Sequence, residues 1–233
     1  MTSLVRKALW WASDYAYAAQ WQLRGALGGR SADDYLSGDG RPVVVLPGIW
    51  ESWHFMRPLI GSLHDAGHPV HVLDSLHFNG KPVERTARDV AAFIQGGDLR
   101  DVVLVAHSKG GLIGKYVMAL LDDSHRVEGM AAICTPFSGS RYASFLVLPS
   151  LRAFSPRDPT TQLLGANLEI NARILSIFGE FDPHIPEGSA LEGATNVRMH
   201  AGGHFRILGL PETVRLVLEA AAAPPRPAPA GHP

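Results

Sequence analysis

Three residues of this sequence have the types and the settings that nucleophilic catalysis needs: Ser108, Asp182 and His204. A hydroxyl can attack, an imidazole can take its proton, and a carboxylate can hold the imidazole in one tautomer and stabilise the imidazolium that forms. Ser108 follows the apolar run Val102-Val103-Leu104-Val105-Ala106, which reads as a buried strand. Behind it the period becomes helical, with Leu112, Ile113, Tyr116, Val117 and Leu120 on one face. The serine therefore occupies a strand-to-helix corner. Small residues two before and two after it, Ala106 and Gly110, relieve the crowding there, and Gly111 lets the helix lie close to the sheet. The unpaired amides and the positive dipole end of that helix favour an oxyanion developing beside the hydroxyl.

Asp182 lies in Gly179-Glu180-Phe181-Asp182-Pro183-His184, just past a strand expected over 171–178 and in a turn that Pro183 initiates. Glu180 is the competing carboxylate. His184 follows Asp182 too closely to meet it from the far side, and surface or cap contact is expected of it. His204 comes after Ala201-Gly202-Gly203, past a strand expected over 196–200, and two glycines give it freedom to swing into a cleft. His200 is the alternative; as the strand's last residue it is expected to point into the sheet's packing.

The elements that must position these residues alternate in type. Strands are expected at Val43–Leu46, Pro69–Leu73 and 127–134 besides those above, with helices over 54–67 and 83–96 and a final helix after the loop that carries His204. Such a βαβ rhythm builds a mostly parallel sheet with helices on both faces. The loop 74–80 leaves its strand on the same side as Ser108 and is a candidate edge of a substrate pocket. An irregular stretch of about 137–165, with Phe145-Leu146-Val147-Leu148-Pro149, Leu151 and Phe154, reads as a small cap suited to a greasy substrate, or else as a helix packed on the body. Residues 1–28 form an amphipathic helix with Leu4, Val5, Ala8, Trp11, Ala12, Tyr15, Ala19 and Leu23 on one face. It packs on the domain or makes a peripheral contact with a membrane; Asp14 interrupts any apolar run, so neither a signal peptide nor a spanning helix is expected, and the location expected is cytoplasmic or peripheral to a membrane. Residues 29–219 are expected to make one domain, and the Pro- and Ala-rich 220–233 a disordered tail.

Composition narrows the function classes. With 233 residues, 46% hydrophobic and 18% charged, the chain can bury one full α/β core. A formal net charge of -1, without a Lys/Arg run interleaved with aromatics, excludes nucleic acid as a partner. The single cysteine, Cys134, ends an apolar run and reads as a buried strand residue. His64, His68 and His71 straddle Gly67 and Pro69 and cannot share a helical face, so no metal site is expected; no phosphate loop or dinucleotide fingerprint appears, and no cofactor is expected.

From about residue 42 to residue 219 the chain resembles α/β-hydrolases of the bacterial lipase and esterase type. Ala106-His107-Ser108-Lys109-Gly110-Gly111 resembles the A-H-S-x-G-G nucleophile elbow of small Bacillus-type lipases, and Thr135-Pro136-Phe137-Ser138-Gly139-Ser140 resembles the T-P-x-x-G-S segment of bacterial triacylglycerol lipases. The resemblance implies the chain order Ser108, Asp182, His204 and a cofactor-free serine hydrolase acting on a small-molecule ester or lipid. It also implies an oxyanion hole from the loop Pro47-Gly48-Ile49-Trp50, with Ile49 N–H and Lys109 N–H as donors. Trp50 and Trp53 pack under that loop or line the pocket. The sequence departs from the pattern at Pro47, where relatives carry His, and at Lys109, where lipases carry Met or Gln. An acyltransferase or thioesterase would share the acyl-Ser108 intermediate, and a non-catalytic scaffold binding through the N-terminal helix is the reading from another class.

Overall fold

The computed structural model describes residues 3–26, 30–73, 76, 78–145 and 154–224. Six strands form one wholly parallel sheet in the order β2-β1-β3-β4-β5-β6. They are β1 (Val43–Leu46), β2 (Val70–Val72), β3 (Val102–His107), β4 (Val127–Ile133), β5 (Ile174–Phe181) and β6 (Thr195–Gly202). β1 and β3 sit inside the sheet and are buried at every position, which is why their sequences run apolar without alternation.

Helices α1 (Leu4–Ala26), α2 (Arg57–Asp65), α3 (Val83–Gly96), α4 (Lys109–Leu120), α5 (Pro159–Ala166) and α6 (Pro211–Ala222) cover the sheet. One face packs Val44, Leu46, Leu104 and Ala106 against Val83, Val90 and Ile94 of α3 and Leu112, Ile113 and Val117 of α4. The other packs Val43, Val45, Val103 and Val105 against Leu59, Ile60 and Leu63 of α2 and Val217 and Ala221 of α6. Because the strands are parallel, all their carboxyl ends lie along one edge, and the loops that carry Ser108, Asp182 and His204 gather there.

The elements differ from expectation at their ends. Glu169–Arg173 is a 3-10 turn, so β5 begins and ends three residues later than the sequence suggests. β6 continues through Gly202, and α6 continues through Ala222 with Ala221 fully buried, past the point where a tail is expected. Of the cap, Leu146 to Ala153 lie outside the described residues, as do Asp74, Ser75 and His77 of the loop after β2. Beyond the cap gap, Phe154 is buried with its carbonyl accepting the Ser140 N–H at 2.8 Å, and α5 starts from an Asp158 N-cap and packs Leu164 into the core beside α4.

α1 packs on the domain, but by a different face from the apolar one. Trp10, Ser13, Tyr17, Ala18 and Trp21 turn inward around a fully buried Asp14, while Leu4, Val5, Leu9, Trp11 and Leu23 face out. The helix interior of the contact is aromatic and its one charge is satisfied, so burying this face loses little polar hydration. Among the described residues no helix is long and apolar enough to cross a membrane.

Candidate active site

Ser108 sits at the turn from β3 into α4 with φ 50° and ψ -117°, a conformation that L-residues rarely adopt. Its N–H is held by the Ile133 carbonyl at 2.9 Å. The corner leaves no room for side chains. A Cβ on Gly110 would lie 2.0 Å from the Leu46 carbonyl oxygen, and one on Gly111 2.0 Å from Thr135 Oγ1. The small residues around the serine thus answer to backbone and side-chain contacts from β1 and from the end of β4.

The three residues singled out in the sequence meet here. His204 Nε2 is 3.0 Å from Ser108 Oγ, and His204 Nδ1–H donates to Asp182 Oδ2 at 2.8 Å. All three are nearly inaccessible to solvent. The second oxygen of Asp182 accepts the N–H groups of His184 (2.7 Å) and Ile185 (3.0 Å), which fixes the carboxylate to its own turn. Burial acts to push the Asp182 carboxyl up, yet the charge and hydrogen bond of His204 and the His184 N–H hold it below the ordinary carboxylate range. Burial likewise acts to lower His204; the Asp182 charge and hydrogen bond outweigh it, with Glu51 and Asp14 adding to them, and the imidazole titrates above its ordinary value. A hydroxyl aimed at such a nitrogen is the arrangement that general-base activation requires.

The alternatives lie elsewhere. Glu180 pairs with His200 and Arg6, and the His200 side chain is 97% exposed, facing solvent rather than the sheet's packing. His184, expected to make surface or cap contact, meets the cap stretch through its carbonyl, which accepts Ser140 Oγ–H at 2.8 Å, and its ring stands against the site: its centroid is 4.8 Å from that of His204, and Tyr15 Oη–H donates to its Nε2 at 3.2 Å. Burial, with the His204 charge beside it, lowers His184 to about 4, so it stays neutral where His204 titrates.

On the opposite side of Ser108, the loop after β1 is shaped by two bonds. Gly48 N–H donates to Glu51 Oε2 at 2.8 Å, and Trp50, with φ 58°, gives its N–H to the Phe78 carbonyl at 2.6 Å. Ile49 lies between them, and Lys109 N–H is the first amide of α4, which has no acceptor within its own helix. The Lys109 side chain is buried and ties the corner to its surroundings. Its Nζ donates to the Asn79 carbonyl (2.6 Å), to Asn79 Oδ1 (3.2 Å) and to the Lys81 carbonyl, while Asn79 Nδ2–H donates to the Pro47 carbonyl at 2.7 Å. Burial lowers this ammonium to about 8. Of the two tryptophans, Trp53 is buried beneath the loop and Trp50 is 46% exposed at the rim.

Sequence reasoning missed three buried polar residues around His204. His107 Nε2–H donates to the His204 carbonyl at 3.0 Å, and Glu51 Oε2 meets His107 Nδ1 at 2.8 Å. Asp14 accepts backbone N–H groups from His204, Phe205 and Arg206. The available signals were a carboxylate set among the aromatics of an amphipathic helix, and a histidine directly after a buried apolar strand. Among the described residues one trio is compact enough to suggest a metal site: Cys134, Asp182 and His204 offer ligand atoms within 4.8 Å of one another. Its histidine nitrogen and carboxylate are already bonded to each other, and burial pushes the Cys134 thiol well up, away from the thiolate a metal needs. His64, His68 and His71 are engaged separately, with Ser37, the Arg41 carbonyl and the Phe93 ring.

A parallel sheet with a serine at the strand-to-helix corner of β3 and a histidine beyond β6 defines the class, and the sequence agrees: the chain belongs to the Alpha/beta hydrolase family, matching it over residues 43–231. Over 126 residues it is 27% identical to lysosomal thioesterase PPT2 of Bos taurus, a match covering 48% of this chain and 40% of that protein, so the chain spans less than half the length of this relative. Among solved structures it is similar to the mature lipase BlEst2 of Bacillus licheniformis, at 17% identity and a TM-score of 0.64 over 78% of this chain and 92% of that one. It is also similar to a structure from the work on the metagenome-derived lipolytic enzymes LipS and LipT, at 14% identity and a TM-score of 0.58 over 79% and 93%.

Proposed function

We propose that this chain is a serine hydrolase that cleaves carboxylic esters of apolar acyl groups through an acyl-Ser108 intermediate. The observation that carries the reading is the buried relay of Ser108 Oγ, His204 and Asp182, with contacts of 3.0 and 2.8 Å. His204 Nε2 takes the hydroxyl proton as Oγ attacks the ester carbonyl carbon. The tetrahedral oxyanion is met by Ile49 N–H and Lys109 N–H. His204 then gives that proton to the departing alkoxide, leaving acyl-Ser108; water, deprotonated by the same nitrogen, releases the acid and restores the serine. Large apolar side chains exposed at the rim, Trp50 beside Phe78, favour an apolar acyl group. The outward apolar face of α1 extends the same reading: it would rest on the lipid that carries a long-chain ester.

A thioester is the second reading, favoured by the 27% identity to a thioesterase. The acylation step is the same, but a thiolate leaves without needing a proton. A series of p-nitrophenyl esters from short to long acyl chains, run beside the matching acyl thioesters, separates the two. Ester turnover rising with chain length, absent in Ser108→Ala, is expected. No turnover of either series, together with no labelling of Ser108 by a fluorophosphonate probe, would end the hydrolase reading.

A further inference from the structure

The family match begins at Val43, yet the loop bearing His204 is fastened by a residue well ahead of that point. We propose that Asp14 of α1 is a positioning residue for the general base: its carboxylate gathers three consecutive backbone N–H groups and so sets where His204 Nε2 meets Ser108. The inference rests on the serine-hydrolase reading. Oδ2 accepts His204 N–H at 2.9 Å, and Oδ1 accepts Phe205 N–H and Arg206 N–H, each at 2.8 Å. The last of these amides is the first of the 3-10 turn Arg206–Gly209, so the carboxylate holds the chain as it enters that turn, from a distant element. Asp14 has no solvent exposure at all, whereas Trp11 and Tyr15 on the same helix are 51% and 41% exposed. An ionised carboxylate is kept out of water only where other donors replace its hydration, and here three backbone donors do.

The grip is two-sided. While Asp14 holds the His204 N–H, His107 Nε2–H holds its carbonyl at 3.0 Å, and Glu51 backs His107 at 2.8 Å. The peptide on either side of the histidine Cα is thereby fixed independently of what the ring does. The two glycines before His204 bear the imprint of α1 as well. A Cβ on Gly202 would lie 2.3 Å from Trp10 Cε3, and one on Gly203 2.5 Å from Asp14 Oδ1. The glycines therefore make room for the helix, and the loop they were expected to loosen is clamped.

Orientation matters because proton transfer tolerates little error: a misplacement of about 1 Å can lower a rate ~100-fold. Charge matters too. The groups facing His204 are Ser108 from β3–α4, Asp182 and His184 from the loop after β5, Asp14 from α1, His107 from β3 and the Cys134 thiol at the end of β4; Tyr15 of α1 stands behind His184, and Glu51 from the loop after β1 stands behind His107. Of these, the Asp14 carboxylate helps to hold His204 above its ordinary value.

Amide hydrogen exchange and fluorophosphonate labelling, on the full chain and on Asp14→Asn, test the proposal. Asparagine keeps one acceptor oxygen but turns an NH2 group on one of the amides. In the wild type the amides of His204, Phe205 and Arg206, though outside α-helix and strand, are expected to exchange as slowly as those of β6. In Asp14→Asn they should exchange at least tenfold faster with β3 to β5 unchanged, and Ser108 labelling should slow on the order of 10- to 100-fold. Ester kcat should fall with KM nearly constant, and the acid limb of the labelling rate should move to lower pH, which a merely stabilising residue would not do. Gln22→Ala, at an exposed polar position of the same helix, should leave all of these readings unchanged. Unprotected amides in the wild type, or Asp14→Asn labelling at the wild-type rate with an unmoved acid limb, would overturn the proposal. If Asp14→Asn does not fold, the wild-type exchange decides the anchoring, and Asp14→Glu, which keeps the charge but displaces it by one methylene, must slow labelling for the proposal to stand. If the wild type neither labels nor hydrolyses, the hydrolase reading fails, and the exchange data alone then decide whether Asp14 holds the loop.

Discussion

Asp182 and Asp14 are both buried against His204, from opposite ends of the chain, and they treat it differently. Asp182 gives one oxygen to the imidazole and keeps the other for its own turn, at His184 and Ile185. Asp14 gives both oxygens to the backbone and none to the ring. On the proposed mechanism the first fixes a tautomer and stabilises a charge that appears only during reaction, and on the proposal made for Asp14 the second fixes a position that must exist before reaction begins. A carboxylate on the ring should therefore be felt mainly in the chemical step, and one on the peptide mainly in geometry.

The largest effects should come from the ring side. Ser108→Ala should abolish labelling and lower ester kcat/KM by about 10^4 or more, and Asp182→Asn should lower kcat by a similar factor of ~10^4 by removing the charge that matches the imidazolium. Single-turnover kinetics will read both; an Asp182→Asn enzyme within tenfold of wild type would show that this carboxylate is not the partner the mechanism needs. Asp14→Asn belongs one to two orders lower, as set out above, and a loss equal to that of Asp182→Asn would erase the contrast between ring and peptide.

The pH profile sharpens the same comparison. A base must be neutral to act, and His204 is held above its ordinary value of 6.5, so kcat/KM should rise with pH through a single midpoint above 6.5. His184, at about 4, should add no ionisation between pH 5 and 8. A second inflection in that window, lost in His184→Gln, would mean that two histidines share the proton.

Smaller effects are expected from the other flank. Lys109→Met removes the ammonium that joins the corner to Asn79 and Lys81, and through Asn79 to Pro47. The loop bearing Ile49 should loosen, with a loss in kcat/KM of about tenfold and labelling by the probe slowed in parallel. Unchanged kinetics would show that the loop holds itself through Gly48 and Trp50. Smallest of all on a soluble ester should be Trp11→Ala on the outward face of α1, whose effect is expected in co-sedimentation with liposomes; equal sedimentation of the two proteins would remove lipid contact from that face.

Much of the site was legible beforehand because its signals are local. A serine between an apolar strand and a helix, flanked by Ala106 and Gly110, implies a tight corner wherever the strand lies, and the Leu46 carbonyl packed over Gly110 is the reason that corner excludes a side chain. Asp182 and His204 were readable as polar residues past strand ends. The packing of His184 on His204 was not foreseen because nearness in sequence to Asp182 says nothing of the ring it meets, which arrives from another loop. His200 was misjudged because β6 runs two residues further than its apolar pattern, so the residue falls within an exposed edge strand.

What the amino-acid sequence by itself determined is the class of this protein: continuous apolar strands alternating with amphipathic helices dictate a parallel sheet, and a parallel sheet brings its strand ends to one edge. What only the tertiary structure decided is which residues hold the histidine still. Periodicity ranks the faces of α1 by hydrophobicity and chooses the one now exposed, because a helical wheel cannot register that three backbone amides from the far end of the chain would be waiting for Asp14. A buried charge is favourable only through partners that the fold supplies, and those partners exist only once the chain has closed on itself.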